Sequence, residues 1–321
     1  MSPSRLVARK LLKTVLPIVL VVVLAVVAVS IWLVRGITRP PRAPYRVTPE
    51  SFSKVTGPVF KGIDVKWKNH DGTDARGWLI AGADEAPAVI LLHGYGADRS
   101  WLLNLAVKLN ETTNFTVLWP DLRGHGENPP VNSTSFGAIE GDDVTAAIDY
   151  LQTLKSHGNK LQVGSNVGVY GIGLGGYAAL DAAARYRELR AVALDSAPSS
   201  PDDLVGAATD HLTGMSSGIF QRLFQPLAHV SIRVYDLGKF PTKTSCDLAH
   251  ALGADVRVLL LAGMQGDPAR QSTLDLARCL KNPPEVKNNL PVTGANLPSS
   301  TGEEEEAYDR PVIEFFDKAL R

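Results

Sequence analysis

Hydrophobic positions along this chain fall into three regimes. From Thr14 to Val34 the sequence is apolar throughout and carries no charge, residues 35–58 are polar and proline-rich, and the remainder alternates between two patterns. One is the short continuous apolar run, such as Ala88-Val-Ile-Leu-Leu92 or Val256-Arg-Val-Leu-Leu-Leu261. Such runs have no wet face, which suits the middle of a parallel sheet covered on both sides by helices. The other is the longer stretch with apolar residues every three or four positions. The pattern predicts strands near Gly62–Lys68, Arg76–Ala81, Ala88–His93, Phe115–Trp119, Val167–Tyr170, Ala191–Asp195, Val256–Ala262 and Asn289–Thr293. It predicts helices near Asp98–Leu109, Ala138–Lys155, Leu174–Arg187, Lys243–Ala251, Ala269–Leu280 and Glu303–Leu320. Regular alternation of this kind defines an α/β fold with a doubly wound, mostly parallel eight-stranded sheet.

The apolar run comes first in the chain and stands apart from that fold. At about 1.5 Å per residue, residues 14–34 extend roughly 30 Å, the thickness of a bilayer's hydrocarbon core. They read as a transmembrane anchor behind a basic tail (residues 1–13). The competing reading is a cleaved signal peptide, with Ala28-Val29-Ser30 as its cleavage site, but signal cores usually span only about 7 to 15 residues. Orientation is weakly marked, since Arg35, Arg39, Arg42 and Arg46 balance the basic residues on the other side. The expectation is a short tail inside and the domain on the extracytoplasmic side. Pro40, Pro41, Pro44 and Pro49 then favour an extended spacer over residues 35–58, and residues 59–321 form the domain. Within it, about 198–253, the alternation lapses into amphipathic pieces bearing Met215, Phe220, Phe224 and Phe240. Two readings stay open for this stretch: a small lid over the carboxyl edge of the sheet, where α/β proteins place ligands, or an ordinary helical connection.

Candidate chemistry concentrates in Val167-Gly-Val-Tyr-Gly-Ile-Gly-Leu-Gly-Gly-Tyr177. A strand followed by small residues and a helix is the outline of G-x-S-x-G, in which a strained turn lifts a nucleophile off the end of a buried strand. Gly171, Gly175 and Gly176 satisfy the steric demand. The raised position is Gly173, which has no side-chain atom to attack with. The same stretch satisfies G-x-G-x-x-G across residues 171–176, with Asp195 near the place of a ribose-binding acid. Against dinucleotide binding, that fingerprint normally opens a βαβ unit, whereas at least four strands precede it here.

The 33 basic and 33 acidic residues give zero formal net charge, and no basic stripe interleaves with aromatics, so nucleic acid is not an expected partner. No Cys/His cluster has zinc spacing, and neither a metal nor a cofactor is expected. Cys246 and Cys279 read either as buried apolar residues or as a disulfide, depending on the compartment.

From about Gly62 to Arg321 the chain resembles the α/β-hydrolase family, particularly its membrane-anchored or secreted members related to serine esterases and aminopeptidases. The resemblance rests on Leu91-Leu-His-Gly-Tyr-Gly96 after the third strand, Pro120-Asp-Leu-Arg-Gly-His-Gly126 after the fourth, Asp142-Asp143 opening the next helix, and the glycine-rich elbow. It implies that the backbone amides of Tyr95 and Leu174 form an oxyanion hole, supported by His93, Gly94, Gly171, Gly175 and Gly176. It places the nucleophile at Gly173, the acid at Asp267 and the base at Asn296. For Asp267 a helix N-cap before Pro268 is an equal alternative. The family's order puts the base after the acid, yet the seven histidines, His70, His93, His125, His157, His211, His229 and His250, all precede Asp267. An amide at Asn296 has no pKa near neutrality with which to take a proton. Ser196, at the end of the sixth strand, lacks the glycine frame of an elbow.

Losing nucleophile or base typically costs about a million-fold in turnover. The resemblance therefore implies a membrane-anchored, non-catalytic relative of the hydrolases that binds a small carboxylate, an acyl-bearing ligand or a partner protein. Its alternatives are an active ester or peptide hydrolase using non-standard residues and, more remotely, dinucleotide binding at 171–176.

Overall fold

In a computed structural model, residues 3–56, 62–156, 158–214, 218–294 and 296–321 are described. His157, Met215, Ala295 and the expected start of the domain at residues 59–61 lie outside them. The chain divides into two compact units, one of residues up to 37 with 205–239, the other of 38–204 with 240–321.

The larger unit contains one eight-stranded sheet: β1 (Ile63–Lys68), β2 (Asp74–Ile80), β3 (Ala86–Leu92), β4 (Thr116–Pro120), β5 (Val163–Ile172), β6 (Leu189–Asp195), β7 (Arg257–Gly263) and β8 (Glu285–Leu290). Their order is β1-β2-β4-β3-β5-β6-β7-β8. β2 runs antiparallel to both neighbours, and the other pairs from β4 to β8 are parallel. Alternate residues of the central strands point to opposite faces. Val89, Leu91, Tyr170, Ile172, Ala191 and Ala193 share one core with Leu105 and Leu109 and with Tyr308, Val312 and Phe316. Those partners lie on α3 (Leu103–Thr113) and the C-terminal helix, Gly302–Leu320. The opposite face is covered by α4 (Glu140–Thr153) and α5 (Leu174–Arg185). The apolar runs Ala88–Leu92 of β3 and Val258–Ala262 of β7 are buried, as a sheet clad on both faces requires. The C-terminal helix starts with a capping box in which Thr301 and Glu304 satisfy each other's backbone amides.

The last strand corrects the expectation of Asn289–Thr293. β8 is Glu285–Leu290, and among the described residues it pairs only with β7. As an edge strand it exposes all but Leu290, so its polar sequence carries no hydrophobic signature. Asn289 has φ 60° and Pro291 lacks an amide hydrogen, so the ladder cannot extend into Val292 and Thr293. The helix expected over Ala269–Leu280 is shorter, with α-helix from Arg270 to Leu276 and a 3₁₀ turn over Ala277–Cys279. Cys246 and Cys279 form a disulfide, which settles the choice left open between them.

Upstream, α1 spans Pro3–Thr38, and within it Lys13–Thr38 is apolar enough to cross a bilayer. Residues 35–38 are thus helical, and α2 (Pro49–Thr56) occupies the other end of the expected extended spacer. Pro49 stands at the first helical position, where a missing amide hydrogen is no loss. Residues between the two helices hold to the domain: Tyr45 Oη donates to Asp121 Oδ2 at 2.6 Å and Arg42 donates to Asn132 Oδ1 at 2.9 Å. The stretch 198–253 contains α6 (Pro201–Thr213), α7 (Ile219–Tyr235) and α8 (Ser245–Ala251).

Candidate functional site

The carboxyl ends of β3, β5 and β6 lie side by side, with Leu92 opposite Gly171 and Ile172 opposite Asp195. β5 ends at Ile172, α5 begins at Leu174, and Gly173 makes the whole turn between them. Its backbone sits at φ 51°, ψ −107°, a combination that strains any residue with a side chain. The frame around it is as tight as the sequence demands. A Cβ on Gly171 would lie 2.3 Å from the Gly175 carbonyl oxygen, and one on Gly175 would lie 2.6 Å from that of His93. At Gly173 itself a Cβ would meet nothing within 4 Å. The turn is sterically prepared for a side chain and carries none.

The polar groups that this turn itself offers are backbone amides. The first intrahelical bond of α5 is Tyr177 N–H to Gly173 C=O at 2.9 Å. The amides of Leu174, Gly175 and Gly176 therefore precede any carbonyl of their own helix, at the positive end of its dipole. His93-Gly94 runs alongside, a Cβ on Gly94 falling 3.4 Å from Ile172 Cγ2. The Tyr95 ring stacks on Phe136 and meets His125 edge-on.

His93 and His125 are structural in their bonding. The Leu122 amide donates to His93 Nε2 at 3.0 Å, so Nδ1 carries the proton and donates to Gly94 O at 2.8 Å. Both lone pair and proton are committed, and burial pushes the ring down to about 4. His125 bonds through Nδ1 to Arg123 O at 2.9 Å, and burial, aided by neighbouring His93, pushes it down to about 3. Arg123 makes a fork with Asp143, at 2.6 and 2.5 Å. Burial nonetheless raises Asp143 to about 6, against the pull of that guanidinium. The Arg-Gly-His-Gly motif and the acid of α4 thus brace the loops behind the elbow.

Asp267 and Asn296 come from the loops after β7 and β8. A Cβ on Gly263 would touch both Asp267 and Thr293, so the two loops meet beside the last residue of β7. Asp267 Oδ1 accepts from the Ala269 amide at 2.8 Å, a local turn just ahead of the helix; the N-cap of that helix is Ala269 and not Asp267 as the alternative reading had it. Asn296 is exposed, with its backbone N–H donating to Thr293 O at 2.8 Å.

The most developed polar cluster is one the sequence did not single out for this place. Asp195, fully buried at the end of β6, accepts from Gly294 N at 2.5 Å and Ser196 Oγ at 2.7 Å, and from the Tyr308 hydroxyl. The Tyr170 hydroxyl donates in turn to Tyr308 Oη. Burial raises Asp195 to about 6, although Tyr308, Ser196 and Gly294 all favour its charged form. Asp195 is fully buried and turned to three internal donors, and the turn at 171–176 follows the fifth strand rather than the first. Both observations count against dinucleotide binding. The available signal was a carboxylate closing the apolar run Ala191–Leu194 of β6. Its partners Gly294 and Tyr308 lie about a hundred residues away and have no motif to announce them.

A separate seam of mixed character is lined by Trp67, Leu92, Arg76, Asp121, Arg123 and Asp143 among others, and by none of Gly173, Asp195 or Asp267. Its free volume of ≈30 Å³ accommodates about two water molecules. Trp67 Nε1 and Asn69 Oδ1, buried and without a protein partner, belong to residues of that seam.

The sequence matches the alpha/beta hydrolase family over residues 89–299, and the chain belongs to it. No curated protein matches at the level of sequence. Among solved structures, an esterase of Pyrococcus furiosus superposes with a TM-score of 0.65 at 18% identity, covering 88% of this chain and 98% of the esterase. DcsB, solved with its substrate analogue, gives a TM-score of 0.61 at 15% identity over 81% of this chain and all (100%) of its own. Carboxyl esterase 2 of the fungus Tuber melanosporum gives 0.54 at 16% identity, over 88% and 91% of the two chains. At these identities the likeness is one of fold.

Proposed function

We propose that this protein is a membrane-anchored member of the α/β-hydrolase family that does not hydrolyse by the serine mechanism. It uses the elbow as a recognition site for a small carboxylate, an acyl-bearing ligand or a partner protein. The observation that carries this reading is Gly173, a strained turn kept in its steric frame with no atom at the raised position. The helix-start amides of Leu174 and its neighbours, with the amide of Tyr95, then serve as a receptor for negative charge rather than for a transition state. The long apolar stretch of α1 supports the anchor. The Cys246–Cys279 disulfide supports a domain on the oxidising, extracytoplasmic side.

The test is treatment of the purified full-length protein with a fluorophosphonate probe and with p-nitrophenyl butyrate, alongside thermal shift with butyrate and octanoate. Expected are no covalent label, no turnover above buffer, and a higher melting temperature with a carboxylate. Labelling or brisk turnover would overturn the non-catalytic reading, and unchanged melting would overturn carboxylate recognition.

One observation favours a second reading. Ser196 has φ 51°, rare for a residue with a side chain, and its hydroxyl donates to the buried Asp195 carboxylate. This is the place to look for a non-standard nucleophile, and labelling abolished by Ser196→Ala would establish it.

A further inference from the structure

The smaller unit contains a surface that the elbow does not explain. In α7, Leu223, Val230 and Val234 are spaced seven and four residues apart and so share one helix face, continued by Leu237 just beyond the helix. These four side chains are 63%, 60%, 67% and 88% exposed, while Ala228 and Ile232, on the far side of the helix, are fully buried. α7 is therefore apolar on two faces, one inside the protein and one outside it. A soluble domain rarely leaves such a contiguous apolar row to water. Arg222 and Arg233 border the exposed row, and the helix contains no carboxylate between Ile219 and Tyr235.

What covers this face follows from where α7 is attached. Within the same unit the Phe224 ring packs edge-on against Trp32 of α1, with centroids 6.3 Å apart. One turn further, α6 closes on Gly36 so tightly that a Cβ there would lie 2.4 Å from Leu212. Trp32 is in the last turn of the uncharged run, which ends at Val34 just before Arg35. If α1 spans a bilayer, that is the level of the interface, where tryptophan is favoured. α7 is thus held at the height where α1 leaves the lipid, with an apolar face outward and arginines beside it.

We infer that α7 is an interfacial helix, its Leu223–Val230–Val234 face embedded at the headgroup–acyl boundary of the leaflet from which α1 emerges. Arg222 and Arg233 lie along its edge, placed to meet lipid phosphates. The inference rests on the anchor reading of α1 and adds a second, lateral contact with the membrane.

Site-directed spin labelling of the full-length protein in phosphatidylcholine–phosphatidylglycerol vesicles tests it. Both natural cysteines are in the disulfide, so an introduced cysteine is the single labelling site. Labels go at Val230→Cys and Val234→Cys, with Val21→Cys in α1 and Lys160→Cys on the exposed surface of the larger unit as references. The expected result is an accessibility to oxygen over a water-soluble nickel chelate at 230 and 234 close to that at 21 and several-fold above that at 160. If 21 is in lipid while 230 and 234 match 160, the interfacial helix is wrong and the anchor stands. If 21 also matches 160, the anchor reading fails and takes the inference with it. If 230 and 234 are shielded from both reagents, a second protein copy covers the face and the lipid assignment is overturned.

Discussion

The backbone amide of Gly173 donates to the carbonyl of Asp195 at 2.9 Å. This bond ties the turn after β5 to the tip of β6, next to a carboxylate that is itself held by Gly294, Ser196 and Tyr308. The elbow is thus fixed by its neighbours and does not depend on a side chain at position 173.

The Gly173→Ser variant should therefore fold. A Cβ there has open space, and the remaining cost is that of a positive φ, on the order of 1–3 kcal/mol. Differential scanning calorimetry should show a drop of several degrees with an unchanged far-ultraviolet spectrum. Loss of the folded state would mean that the frame is less prepared than the geometry indicates.

The double variant Gly173→Ser with Asn296→His tests the positional reading of the triad. Some hydrolysis of p-nitrophenyl butyrate is expected from the pair and little from Gly173→Ser alone, since removing the base typically costs about as much as removing the nucleophile. Equal activity of the single and double variants would place the base elsewhere.

Asp195 makes stability depend on pH. Its folded value is raised to about 6 from an ordinary 3.8, so the stability that protonation contributes is complete below the ordinary value and is lost as pH rises through 6. The full difference is about 3 kcal/mol. Asp195→Asn keeps an acceptor for Gly294 and Tyr308 and removes the charge. Relative to the parent, it should gain stability between pH 4 and pH 8 in urea titrations. A pH-independent difference would mean that Asp195 is not the titrating group.

Tyr308→Phe removes the donor that favours the Asp195 charge and leaves the Tyr170 hydroxyl unpaired in the core. The expected loss is roughly 1–3 kcal/mol. It should be larger at pH 8, where Asp195 is ionised, than at pH 5. The Asp195→Asn background should shrink that difference.

Cys246 and Cys279 are 33 residues apart in the chain, and closing a loop of that size restricts the unfolded state by about 3–4 kcal/mol. Dithiothreitol should lower the melting temperature, and Cys246→Ser with Cys279→Ser should reproduce the loss. No change on reduction would show that the bond contributes nothing to the folded state in solution.

The sequence by itself determined the class of fold, the order of the elements and the empty turn at Gly173. Buried parallel strands must be apolar throughout, and a sharp strand-to-helix turn must be built of glycine, so both write themselves into consecutive residues. It left the pairing of Cys246 with Cys279 open and misplaced the edge strand, because β8 is polar where it faces water and lies at the edge of the sheet beside β7. It also could not find the cluster around Asp195. Gly294, in the loop after β8, and Tyr308, on the C-terminal helix, lie on elements separate from β6, and only tertiary packing brings their donors to one buried carboxylate, with the Tyr170 hydroxyl donating to Tyr308 behind them. Tertiary structure likewise decided the two-sided apolar character of α7, since periodicity identifies an amphipathic helix but not which of its faces the protein leaves uncovered.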